Sequence, residues 1–460
     1  MGLYTVILSP RPACARLHEP EAVQNSARNI GKAESPFCLS SPAPSLSTLT
    51  RVPLHTATAR QGRDVWNFTE PFMMIQRRTT RQVKVGNVAI GGGAPVSVQT
   101  MTKTDTRNVE ATLAQLHELA AAGADIVRLA CPDEKAAEAF RPIMREAPLP
   151  IIADIHFDYR LALAVLDAGV DGIRLNPGNL ARTDKLPEIV ARCRERNVSI
   201  RVGVNNGSLS RRLRKLVFAG EMATHVAMAE SALEHIRMIE DLDYGEIKIS
   251  LKASDVDTTV RAYRELAPRC DYPFHVGLTE AGTVRTGTIK SSIAIGMLAH
   301  EGLCDTIRVS LTGDSREEVF VGHRILQFVG LRDAGPNLIS CPSCGRVEIA
   351  LERAAYAVEE RLRAYSTENI SVSVMGCVVN GPGEGQIADF GIAGGRGQGV
   401  IYRLGKVLKK CREEEMVDEL FAAIDDWIAA GRPREEVDPE VYEQVLNARP
   451  GFEEARTEEV

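Results

Sequence analysis

No stretch of 18 consecutive apolar residues occurs in this sequence, which excludes a membrane-spanning helix. It also lacks a charge excess. Its 55 Lys+Arg against 61 Asp+Glu leave a net of −6, which by itself predicts no nucleic-acid or membrane partner. There is no positively charged start followed by an apolar run and a small-residue cleavage site, so no secretory signal is read and the cytoplasm is the expected compartment. Ten cysteines are present, but a disulfide framework suits short secreted chains and this one has 460 residues. A quarter of the residues are charged and 44% are hydrophobic, which is neither a disordered acidic chain nor a membrane protein. At roughly 100–200 residues per domain, the length allows several domains.

The mild net charge is a sum of unlike parts. Residues 412–460 hold 5 Lys+Arg and 16 Asp+Glu, so the rest of the chain is net positive. Residues 1–73 hold eight of the 23 prolines and no persistent period. They read as a disordered extension or a start assigned too far upstream, with a transit peptide as the other reading. Residues 432–460 read as an acidic tail.

From Val83 onward the pattern changes. Val83–Ile90 reads as a strand, followed by Gly91-Gly92-Gly93. Eight short apolar runs then alternate with amphipathic segments, beginning at Val96, Ile126, Ile151, Gly172, Ile200, Ile247, Phe274 and Thr306. Glycines such as Gly123 and Gly169 close helices just ahead of strands, the connection expected in a parallel sheet. Eight such units predict an α/β fold, a closed (β/α)8 barrel over residues 74–335. An open doubly wound sheet is the alternative, but its Gly-rich dinucleotide turn is missing: after the first run stands Gln99-Thr100-Met101-Thr102. Beyond Pro336 the alternation stops. A helix over Arg346–Tyr365, strands at Ser371–Val374, Asp389–Ala393 and Val400–Val407, and a helix over Glu413–Ala430 predict a small α+β domain at 336–431.

Barrel chemistry gathers at the C-terminal strand ends. There the sequence places Arg128, Asp154 with His156, Arg174 with Asn176, Arg201 with Asn205, Lys252, Glu280, and Arg308 with Ser310. Any one buried arginine is commonly paired with a carboxylate. Asp154 and Glu280 cannot neutralise five converging cations, so a polyanion, best a diphosphate, is expected to complete the charge balance. Glu280 reads either as a general acid or base or as a counter-ion. His156 reads as a proton shuttle, a metal ligand or a packed hydrogen-bonding residue.

The small domain opens with Cys341-Pro342-Ser343-Cys344-Gly345, and Cys377 follows a predicted strand. A CxxC suits zinc, a redox dithiol or an iron–sulfur cluster. Three thiolates closed by a weaker ligand, for which Glu384 is the natural oxygen donor, favour a redox cluster.

These residues together resemble the 4-hydroxy-3-methylbut-2-en-1-yl diphosphate synthase family in its compact bacterial two-domain form. The likeness is carried by Ser97-Val98-Gln99-Thr100-Met101-Thr102, Asp154-Ile155-His156-Phe157, Arg174-Leu175-Asn176-Pro177-Gly178-Asn179, Leu278-Thr279-Glu280-Ala281-Gly282 and Gly376-Cys377-Val378-Val379-Asn380-Gly381-Pro382-Gly383-Glu384. The resemblance implies a barrel that binds 2-C-methyl-D-erythritol 2,4-cyclodiphosphate through Arg128, Arg174, Arg201, Asn205, Lys252, Arg308, Ser310 and His156, with Glu280 catalytic. It implies a sulfite/nitrite-reductase-like α+β domain whose Cys341, Cys344, Cys377 and Glu384 hold a [4Fe-4S] cluster. It implies ferredoxin or flavodoxin as electron donor, and a homodimer. A pterin-type barrel transferase with a structural zinc domain is the rival reading. An inactive barrel carrying a metal-binding regulatory module is another.

Overall fold

A computed structural model describes residues 75–433, apart from 157, 177–181, 333–334, 366–367, 378–387 and 396. The N-terminal extension, most of the acidic tail and Glu384 therefore lie outside the described residues.

The chain opens with an antiparallel hairpin, β1 (Gln82–Val85) and β2 (Val88–Gly91). Eight parallel strands follow: β3 (Ser97–Met101), β4 (Ile126–Ala130), β5 (Ile151–Asp154), β6 (Gly172–Leu175), β7 (Ser199–Asn205), β8 (Ile247–Lys252), β9 (His275–Val276) and β10 (Thr306–Ile307). Hydrogen bonding runs in the order β8-β7-β6-β5-β4-β3-β10-β9. A parallel bridge between Ile249 and Phe274 joins the two ends, with the Ile249 N–H donating to the Pro273 carbonyl at 3.0 Å. The sheet is thus a closed (β/α)8 barrel.

The helices between the strands are α1 (Val109–Ala121), α2 (Glu134–Glu146), α3 (Tyr159–Ala168), α4 (Leu186–Arg196), α5 (Arg211–Phe218), α6 (Thr224–Glu240), α7 (Val256–Leu266), α8 (Val284–His300) and α9 (Ser315–Phe328). Short polar side chains start them. Asn108, Asp133, Asp158, Ser210, Asp255 and Asp314 each accept a hydrogen bond from a first-turn N–H, worth about 1 kcal/mol apiece. Gly169 ends α3 in the left-handed region (φ 94°), as its position in the sequence predicts.

Strand alternation divides the barrel's residues between two surroundings. Val98, Val127, Leu129, Ile173, Ile200, Val202, Ile249 and Leu251 join the large buried core shared with the helices. Ile126 and Ile152 turn inward at the lower end and bury with Val83, Val85 and Ile90 of the hairpin. The Val83–Ile90 stretch is thus not one strand but a hairpin plugging the barrel floor, because Gly86 (φ 56°) turns the chain back. At about 1.5–3 kcal/mol per fully buried aliphatic side chain, the plug is strongly held. It leaves the opposite end as the mouth.

The second sheet has the order β11 (Asn337–Ser340), β12 (Ser371–Met375), β13 (Phe390–Gly395), β14 (Gln398–Arg403) and β15 (Lys406–Arg412). The first three strands are parallel and the last three antiparallel. Helices α10 (Leu351–Leu362) and α11 (Met416–Ala429) bury Val358, Leu362, Leu420, Phe421 and Ile424 against Val372, Val374, Ile392 and Ile401. Two expectations need correction. The helix foreseen from Arg346 begins at Leu351, because Val347 and Glu348 donate backbone hydrogen bonds to Cys344 and Gly376 instead. The Val400–Val407 strand is two strands, parted by a turn at Leu404 (φ 46°) and Gly405 (φ 79°). Strand β11 was not foreseen, since its four residues are short and only half-buried.

Candidate active site

The inward positions of the upper barrel are polar where most barrels of this type are filled by branched aliphatics. Asp154 lies in register with Arg174, Arg174 with Arg201, and Arg201 with Lys248. Gly203 makes room for this. A Cβ there would stand 2.8 Å from the Arg174 Nε. Gly277 does the same on the other side, where a Cβ would meet the Arg308 carbonyl at 2.1 Å and the Lys252 Nζ at 3.2 Å.

Only two carboxylates among the described residues pair with these cations. Asp154, 6% exposed, sits 3.2 Å from the Arg174 Nη1, 3.5 Å from the Arg128 Nε and 3.7 Å from the His156 Nε2. Burial alone would raise its pKa, but Arg128 and Arg174 outweigh that and hold it low. Glu318, reaching in from α9 and 1% exposed, accepts from the Thr100 hydroxyl at 2.9 Å and the Leu311 N–H at 3.0 Å, and pairs with Arg308 at 3.4 Å.

Arg201 and Lys252 have no carboxylate partner among the described residues. Arg201 donates to the Ser250 hydroxyl at 2.8 Å. Burial, then Arg128 and Arg174, push it well below the ordinary arginine range. Burial, then Arg201 and Arg308, do the same to Lys252. Arg128 is lowered to about 10, chiefly by burial. The buried N–H groups Arg174 Nε, Arg201 Nε and Nη2, and Arg308 Nε find no protein acceptor among the described residues. Each buried, unsatisfied charged donor is costly. An anion with several oxygens at the mouth supplies both the charge and the acceptors.

His156 is exposed beside this cluster, with its Nδ1 3.3 Å from the Arg174 Nη1. Its pKa is lowered, first by partial desolvation of the ring against the barrel mouth, with Asp154 opposing. Asn205 ends β7 in register with Lys252. Ser310 is half-buried two residues beyond Arg308. Glu280 is exposed, in the left-handed region at φ 53°. It forms no ion pair among the described residues, so the counter-ion alternative falls to Glu318.

The three thiols stand at the ends of neighbouring strands. Strand β11 runs parallel to β12 with Ser340 opposite Val374, and the Cys341 N–H donates to the Val374 carbonyl at 3.1 Å. Cys341 is half-buried, Cys344 exposed and Cys377 buried, and none is in a disulfide. The Glu348 N–H donates to the Gly376 carbonyl at 2.9 Å, which folds the Cys341–Glu348 loop back beside Cys377. Three cysteines brought to adjoining strand ends are a soft donor set of the kind that suits an iron–sulfur cluster.

Two family models match this chain: the GcpE TIM-barrel domain over residues 80–323 and the GcpE protein C-terminal domain over residues 337–426. The chain belongs to the GcpE family. It is similar to the 4-hydroxy-3-methylbut-2-en-1-yl diphosphate synthase (flavodoxin) of Geobacter sulfurreducens, 56% identical over 350 residues covering 76% of this chain and 98% of that relative. The protein of the same name from Clostridium perfringens is 51% identical over 351 residues, covering 76% and 99%. Among solved structures, dihydropteroate synthase from Xanthomonas albilineans overlays 54% of this chain and 99% of its own, at a TM-score of 0.39 and 15% identity.

The GcpE barrel also contains polar residues that the strand-end reading misses. Lys248 is fully buried, donates to the Ser199 hydroxyl at 2.7 Å, and is lowered to about 7 mainly by burial. His275 is fully buried and held well below its usual pKa, by burial and then by Lys252. The signal for Lys248 was present in the strict alternation Ile247-Lys248-Ile249-Ser250-Leu251-Lys252, and that for His275 in its place inside the run Phe274-His275-Val276. Glu318 had no such signal.

Proposed function

We propose that this GcpE chain opens the ring of 2-C-methyl-D-erythritol 2,4-cyclodiphosphate at its barrel mouth and releases 4-hydroxy-3-methylbut-2-enyl diphosphate. It is an iron–sulfur oxidoreductase of non-mevalonate isoprenoid biosynthesis, a 4-hydroxy-3-methylbut-2-en-1-yl diphosphate synthase like its relatives. Two electrons and two protons enter, a C–O bond to the diphosphate breaks, and one hydroxyl leaves as water.

The single observation that carries the substrate reading is the set of buried guanidinium donors on Arg174, Arg201 and Arg308 without protein acceptors among the described residues. In this reading Arg128, Arg174, Arg201, Lys252 and Arg308 hold the diphosphate, with Asn205, Ser310 and His156 donating or accepting at its edges. Their fixed charges meet the negative charge that grows on the diphosphate oxygen as the C–O bond breaks. Glu280, exposed and unpaired among the described residues, moves the proton. Cys341, Cys344, Cys377 and Glu384 hold the [4Fe-4S] cluster, which supplies electrons one at a time when bound. The work divides between a substrate barrel (74–335) and a cluster domain (336–431).

The relatives are named for flavodoxin, which supports flavodoxin over ferredoxin as donor. A homodimer is part of the same reading. It is supported by Ile289, Ile293 and Met297, spaced four residues apart on α8 and 58%, 49% and 40% exposed, which suit a second copy's apolar face. No helix among the described residues is long and apolar enough to cross a membrane. We place the enzyme in the cytoplasm because its clustered cysteines suit a reducing compartment.

Anaerobic reconstitution with iron and sulfide, then turnover of the cyclodiphosphate with dithionite, tests the reading. The expected result is a brown protein that forms the linear diphosphate. A fully loaded cluster without product overturns it.

A further inference from the structure

In a (β/α) unit the strand leads directly to the helix that returns along the barrel wall. The fifth unit departs from this. Strand β7 is followed by α5, and only then by α6, which packs on both β7 and β8. Helix α5 is an insertion at the C-terminal end of β7, on the face of the barrel where Asn205, Arg201 and the cations around Arg201 open.

The connection is held firmly. The Ser208 hydroxyl donates to the Asn205 carbonyl at 2.8 Å, and Ser210 caps the Leu213 N–H at 3.3 Å. Leu213 is fully buried and anchors the helix. The outward side reads Arg211, Arg212, Arg214 and Lys215, all exposed, and ends on Phe218, 91% exposed. Arg212 pairs with Glu234 of α6. Arg211, Arg214 and Lys215 have no ion pair among the described residues. Surface cations are ordinary, but a largely bare aromatic beside three unpaired ones is not explained by packing or by solubility.

We propose that α5 is a docking surface for the acidic face of the redox protein that reduces this enzyme, with Phe218 as its apolar contact. The inference rests on the flavodoxin reading above and extends it to a location. Electron-transfer complexes are small and short-lived, and depend on complementary charge more than on buried area. A cationic rim at the mouth steers an acidic carrier to the face where the electrons are consumed.

The test uses the whole reconstituted enzyme and three variants: R214E/K215E, the milder R214Q/K215Q, and F218S. Turnover is measured with reduced flavodoxin and separately with dithionite. Flavodoxin binding is followed by its flavin fluorescence, so the surface is judged even if the substrate assignment fails. The expected result for R214E/K215E is a KM for flavodoxin raised about tenfold or more and a flatter salt dependence, with dithionite turnover unchanged. R214Q/K215Q and F218S should shift the same parameter less. An unchanged KM and unchanged flavodoxin binding would overturn the proposal. So would equal losses with both reductants, which would assign α5 to substrate capture or to the subunit contact. Absence of dithionite turnover in the unaltered enzyme, with patch-dependent flavodoxin binding intact, would instead sink the substrate reading and leave the docking surface standing.

Discussion

Arg174 and Arg201 lie side by side on neighbouring strands, in register and pointing inward, and among the described residues only Arg174 has a carboxylate, Asp154 at 3.2 Å. Two adjacent buried guanidiniums are a poor arrangement for an empty protein. They are a good one for a protein that spends its working cycle around a polyanion, because the free state bears the repulsion and the bound state removes it.

Arg201→Met therefore separates stability from function. It removes a buried cation with no carboxylate partner among the described residues, so the melting temperature should hold or rise. The KM for the cyclodiphosphate should increase about 10–100-fold, the range for losing a charge-assisted hydrogen bond of about 1.5–3 kcal/mol. Thermal melts beside steady-state kinetics check both halves.

Asp154→Asn acts in the opposite direction. Asp154 is the shared counter-ion of Arg128 and Arg174 and is almost fully buried. Its neutralisation should cost about 3–5 kcal/mol. Denaturant unfolding measures that loss, and added inorganic diphosphate should recover part of it by supplying the missing negative charge.

Lys252 sets the pH dependence of binding. In the free enzyme burial and the neighbouring arginines depress its pKa well below the ordinary lysine range. A bound anion favours the charged form and raises that pKa. Between the two values substrate binding takes up a proton, so affinity should fall as pH rises through that window. Calorimetry in buffers of different ionisation enthalpy reads the uptake directly, and Lys252→Met should abolish it.

Glu280→Gln should leave the cluster's visible absorption and the substrate affinity in place while lowering turnover by roughly 10²–10⁴. Loss of the absorption band in this variant would mean that Glu280 is structural.

The fold was legible because the barrel strands read as apolar runs between capped helices, with Gly169 placed where the left-handed residue is needed. The cations at the strand ends were legible for the converse reason: Arg128, Arg174 and Arg308 interrupt runs that packing alone would keep apolar. Lys248 and His275 were passed over, since a polar residue inside a strand reads as solvent-facing unless the barrel's interior is itself polar. Glu318 was not legible at all. It is one of two adjacent glutamates, Glu317 and Glu318, and only tertiary packing buries the second against Arg308 while the first stays half-buried. The α10 boundary failed where the Cys341–Glu348 loop takes its hydrogen bonds from β12 instead of from a helix.

The central claim is that the barrel mouth is a cationic site completed by a diphosphate. Isothermal titration of the cyclodiphosphate into the full chain, beside the Arg201→Met/Lys252→Met double variant, tests it most directly. The account predicts one bound substrate per chain with proton uptake in the unaltered protein, and binding weakened at least a hundredfold in the folded double variant. Equal affinity in the two proteins would contradict it.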